Sequence, residues 1–76
     1  MEDRIRVIMS TIFDIALGKI DSEISMESCD EWDSLQHMNL LFAIEEEFGL
    51  ELDDDEVLHM KDYTSIVNVL ADRNIL

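Results

Sequence analysis

Ser34 stands between Asp33 and Leu35, with His37 three residues further on, and two chemistries are open to such a serine. Asp33 is a good helix N-cap type, and Gln36 falls at the capping-box spacing with Asp in place of Ser or Thr. Ser34 is then the first helical residue. A hydroxyl there lies beside unpaired backbone N–H groups and the positive end of the helix dipole, which suits an anionic phosphate ester. The other chemistry is hydrolysis, with His37 as base on the same helix face. A nucleophile also needs an orienting third group and an oxyanion site, and no nucleophile elbow is present. The phosphate ester is the better fit, and no catalytic residue is assigned.

The helix that positions Ser34 is expected to run to about Phe48 and stop at Gly49. At about 100° per residue, His37, Leu40, Leu41, Ile44 and Phe48 share a core-facing side. Leu35, Met38 and Phe42 form a second apolar stripe flanked by Glu45 and Glu46. Unless the loop or another helix covers it, that stripe reads as a partner site. Ahead of Ser34, a helix starting near Asp3 carries Ile5, Ile8, Met9, Ile12, Phe13 and Ala16 and ends at Gly18. The stretch from Gly18 to Asp33 is a long loop that Ile20, Ile24 and Met26 could pin to the core, with Trp32 expected to clamp its end onto the helices and a direct partner contact as the alternative.

Beyond Leu50, Asp53 and Glu56 mark a short helix over roughly Asp54 to Met60, whose Val57, Leu58 and Met60 cover the core or border a cleft. The last helix is expected to begin near Thr64 or Ser65 and to carry Ile66, Val67, Val69, Leu70 and Ala71, with Ile75 and Leu76 either fraying or sealing the base. The expectation is all-α: a four-helix bundle of three longer helices and one short third helix, forming a single domain over residues 1–76.

Hydrophobic residues make up 47% of the 76, enough for a core but a small one. The formal charge of −14 is segregated, because no Lys or Arg occurs from residue 20 through 60 while the flanks balance. Such a field disfavours nucleic acid and anionic lipid and steers basic protein surfaces toward Ser34. No apolar run approaches the roughly 20 residues of a spanning helix, so no membrane insertion is expected and the default compartment is the cytoplasm. Cys29 is single, so it reads as a free thiol, with a mixed disulfide as the sharper alternative. The acids at Asp53 to Glu56 lack the alternating ligands and central glycine of an EF-hand, and no metal site is assigned. His59 reads as structural or solvent-facing.

Asp33-Ser34-Leu35, followed by a helix containing Glu45-Glu46-Glu47-Phe48-Gly49, resembles the acyl carrier protein family across essentially the whole chain. The resemblance implies that Ser34 is esterified with 4'-phosphopantetheine, whose thiol carries acyl groups as thioesters between enzymes. It implies that Asp33 assists the modification, and that Leu35, Met38, Phe42, Glu45, Glu46 and Asp54 contact partners. Those partners are a phosphopantetheinyl transferase and acyl-loading and acyl-processing enzymes with basic docking surfaces, met by a monomer that is itself no enzyme. Gln36 and Asn39 depart from positions often acidic in fatty-acid carriers, which leaves partner choice open. The Glu31-Trp32 and His37-Met38-Asn39 flanks look like a specialised carrier, in fatty-acid, polyketide or related biosynthesis. An aminoacyl or peptidyl carrier, or an acidic helical adaptor without a prosthetic group, is the alternative.

Overall fold

Ile5, Met9 and Phe13 recur every fourth residue and present one apolar face, and that face is buried in the computed structural model, which describes residues 2–75 with side chains from Arg4 to Ile75. The helices are α1 (Glu2–Phe13), α2 (Ser34–Phe48), α3 (Asp54–His59) and α4 (Tyr63–Asp72), with a short 3-10 turn at Leu17–Lys19. The expected all-α bundle is therefore what forms among the described residues, with the third helix the shortest. Leu76 and the side chain of Asp3 lie outside the described part.

Each of the three longer helices ends in the same way. Asp14, Gly49 and Asn74 take left-handed backbone angles with φ of 55°, 66° and 63°. The next amide then reaches back five residues, Ile15 to Ser10, Leu50 to Glu45 and Ile75 to Leu70, at 3.2, 3.1 and 2.9 Å. Ile15, Leu50 and Ile75 pack against the core, so every stop both satisfies a helix-end carbonyl and buries an apolar side chain.

Two boundaries differ from the expected ones. Helix α1 ends at Phe13 rather than Gly18, because Asp14 adopts the left-handed conformation that Asp and Asn tolerate. Gly18 instead lies in the 3-10 turn and Ala16 is left exposed. Helix α4 starts at Tyr63, before Thr64 or Ser65, since the Ser65 amide donates to Asp62 Oδ1 at 2.6 Å and makes Asp62 the cap. Helix α3 has the expected capping box, with Asp53 and Glu56 bonded reciprocally at 2.8 and 3.0 Å.

The long connection between α1 and α2 is fastened as a strap across the bundle. Ile20 and Ile24 are buried, Met26 is half-buried, and Arg6 holds the Ile20 and Leu17 carbonyls at 2.9 and 3.2 Å. Ser25 pairs with Asp62, the Met26 amide donates to the Lys61 carbonyl at 2.9 Å, and the Tyr63 amide donates to Ile24 at 3.0 Å. At the periphery Arg4 pairs with Glu47 and stacks over Phe48 at 4.8 Å. Arg73 holds Glu56 through both carboxylate oxygens, and its hydrogen bond lowers the Glu56 pKa from the ordinary value.

Helix ends of this kind predict opposite signs for two substitutions. Gly49→Ala meets no neighbouring atom but forces a side chain into the left-handed region, at a cost of about 1 kcal/mol or a fall of about 4–8 °C in melting temperature. Asp14→Gly relieves that conformation and is expected to raise the melting temperature by a smaller amount. Thermal melts followed by circular dichroism check both, and a neutral Gly49→Ala would contradict the assignment.

Candidate functional site

The residues around Ser34 are fixed by what buries on either side of it. Trp32 is only 2% exposed, its indole 5.2 Å from the Phe13 ring, so the strap ends in a large side chain locked into the core. Asp33 follows in an extended conformation and accepts the Gln36 amide on Oδ1 at 2.9 Å. That cap is the expected one, but the reciprocal half of a capping box is not made. The Gln36 side chain accepts from Asn39 at 2.9 Å instead of turning back to the Asp33 amide. Ser34 is then the first residue of α2 and is exposed. By helix geometry the Ser34 and Leu35 amides have no acceptor within the helix, which leaves donors beside the serine.

His37 is buried one turn into α2, and both its ring nitrogens are committed. Trp32 Nε1–H donates to Nδ1 at 3.0 Å, and Nε2 lies 2.9 Å from the Val57 carbonyl of α3. An indole nitrogen can only donate and a carbonyl can only accept, so the ring carries its proton on Nε2. His37 therefore cannot take a proton from Ser34 without giving up one of these bonds. The hydrolytic alternative loses its base, and the histidine becomes the fastener that joins strap, α2 and α3.

Beside Ser34 a cleft of about 320 Å³ opens between α2, α3 and the strap, lined by Met26, His37, Met38, Val57, Leu58 and Lys61 as well as Ser34 itself. Met60, next to Lys61 in sequence, is fully buried in the core. The second stripe of α2 is left uncovered: Leu35 is 70% exposed, Phe42 58%, and Met38 lies at the cleft edge. Leu58 of α3, 61% exposed, extends this apolar surface beyond α2. Glu46 and Asp54 are exposed, each four residues along its helix from an apolar member of this surface, Phe42 and Leu58. Glu45 is half-buried, and its Oε2 accepts the Leu52 amide at 2.8 Å, so this acid also ties down the connection to α3.

Other chemistry-bearing side chains lie apart from the cleft or are otherwise engaged. Cys29 is 7% exposed, and burial pushes its thiol pKa up, which disfavours the thiolate that a mixed disulfide requires. His59 is exposed, with Nδ1 2.6 Å from the Asp55 carbonyl. Among the described residues no three His, Cys, Asp or Glu side chains gather as a metal site. Among them too, no helix is long and apolar enough to cross a membrane.

Comparison with known proteins agrees with this geometry. A family model described as "Phosphopantetheine attachment site" matches residues 3–71. An acyl carrier protein of Buchnera aphidicola subsp. Schizaphis graminum is 30% identical over 74 residues, covering 97% of this chain and 94% of the relative. A second, from Buchnera aphidicola subsp. Acyrthosiphon pisum, is 29% identical over 99% of this chain and 94% of its own length. An acyl carrier protein homolog of Ureaplasma parvum is 34% identical over 58 residues, 76% of this chain and 74% of the relative.

Removing the donor to His37 is expected to be far costlier than removing the exposed hydroxyl. Trp32→Phe leaves Nδ1 of a buried histidine unpaired, which costs about 1–3 kcal/mol or at least about 4 °C in melting temperature. Ser34→Ala should change the melting temperature by less than about 4 °C, the scale of an exposed substitution. Equal melts for the two variants would refute this division of labour.

Proposed function

Since the chain belongs to the acyl carrier protein family and has its phosphopantetheine attachment domain, we propose that Ser34 is the residue that carries 4'-phosphopantetheine. One observation carries the reading: the Ser34 hydroxyl is exposed on the first residue of α2, at the rim of an apolar cleft. The free N-terminal amides and helix dipole favour a phosphodiester there. The cleft walls from Met26, Met38, Val57 and Leu58 suit an apolar chain. When bound, the prosthetic group supplies a thiol that holds acyl groups as thioesters.

The chain's own contribution is to present and tether. The Trp32 anchor and the Asp33 cap hold the serine in place, and tethering replaces diffusion of a free thioester with a high local concentration at a docked active site. Asp33 uses Oδ1 for the cap, while Oδ2 makes no hydrogen bond with the described residues and is available to the metal of a phosphopantetheinyl transferase. Leu35, Met38, Phe42, Glu45, Glu46 and Asp54 form the docking surface for that transferase and for acyl-loading and acyl-processing enzymes. The apolar centre and acidic rim suit basic partners. The setting is cytoplasmic fatty-acid, polyketide or related biosynthesis.

Incubation with coenzyme A, magnesium and a broad-specificity phosphopantetheinyl transferase should add one phosphopantetheine group to the parent and none to Ser34→Ala, read by intact mass. Modification of Ser34→Ala, or none of a folded and unmodified parent with several transferases, would overturn the assignment.

A further inference from the structure

Among the described residues, Lys61 is the only Lys or Arg that lines the cleft beside Ser34. Its backbone is held on both sides. Met60 before it is fully buried, Asp62 after it caps α4 and pairs with Ser25, and its own carbonyl accepts the Met26 amide at 2.9 Å. The side chain is exposed, and its ammonium has no ion pair or hydrogen bond with the described residues. What sets Lys61 apart in a chain of net charge −14 is that this ammonium borders the same cleft as Ser34. Arg4 pairs with Glu47, Arg73 with Glu56, and Arg6 holds backbone carbonyls, while Lys19, whose ammonium likewise makes no ion pair or hydrogen bond with the described residues, borders a different pocket with Asp21, Glu23, Asp30 and Glu31.

We propose that the Lys61 ammonium is the counter-ion of the phosphodiester formed when Ser34 is modified, an inference that rests on the attachment assigned above. A phosphodiester at Ser34 adds a negative charge to a segment, residues 20–60, that has fourteen acidic residues and neither Lys nor Arg. The helix N-terminus and Lys61 are the positive features the fold brings to it. A lysine suits this position, because a strongly hydrated point charge on a flexible four-carbon stem can hold an exposed phosphate and release it when a partner docks. Since Lys61 lines the cleft, the contact also biases the root of the arm toward the apolar walls.

The test compares melting temperatures of the unmodified and the phosphopantetheine-bearing forms of the parent and of Lys61→Gln, each form verified by intact mass. At about 20 mM salt, modification should be less favourable to stability in Lys61→Gln than in the parent by about 1–4 °C, and at about 500 mM salt the difference should shrink. The phosphorus resonance of the modified parent should shift in Lys61→Gln. Equal effects of modification in parent and variant with unchanged resonances, or a difference insensitive to salt, overturn the counter-ion. Absence of any mass gain removes the Ser34 assignment first, and the inference with it.

Discussion

Two hydrogen bonds in series, from Trp32 Nε1–H to His37 Nδ1 and from His37 Nε2–H to the Val57 carbonyl, hold together the three elements on which the site depends. Each group in the series has one complement available, a donor-only indole at one end and an acceptor-only carbonyl at the other. A buried polar group without its partner costs more than the bond itself contributes, so the series is kept whole or the elements separate. Ser34 lies in sequence between the first two members and inherits its position from them. Val57 brings α3 against α2 and thereby forms the far wall of the cleft.

The rest of the molecule divides along the same line. Helix α1 and the C-cap of α4 use basic residues as ties, Arg4 to Glu47 and Arg73 to Glu56, and both helices turn their apolar faces to the core. The strap, α2 and α3 hold the unbalanced acids and leave Leu35, Phe42 and Leu58 uncovered. A small domain cannot bury both apolar stripes of one helix, and the stripe it leaves open begins beside Ser34. On the proposed function this is an efficient division, since the half that docks need not rearrange the half that folds. Committing His37 to structure also leaves Ser34 without a neighbouring base, which on the same proposal suits a serine modified by another enzyme rather than a catalytic nucleophile.

Much of this was legible in the chain. The periodicity of α2 separated its buried stripe from its exposed one, Gly49 marked its end, and the composition around Asp33 marked its start. The boundaries of α1 and α4 were not, because a left-handed Asp14 does the work expected of Gly18 and the cap of α4 is Asp62, an acid hidden among several equivalent candidates. The tautomer of His37 depends on Trp32 and on a carbonyl twenty residues away, a contact that helical spacing does not encode. Lys61 was counted with a charge-balanced flank, and its place in the cleft follows from pairing of the strap with the start of α4. What spacing reveals is which face of one helix is apolar; what it omits is which distant group completes a buried bond.

The His37 ring is a fixed structural link with its proton on Nε2. Long-range proton–nitrogen correlation of the imidazole in the folded protein tests it most directly. A single ring state is expected, with Nε2 protonated and Nδ1 bare, its Nδ1 resonance shifted in Trp32→Phe. A ring protonated on Nδ1, or one averaging between tautomers, would contradict it.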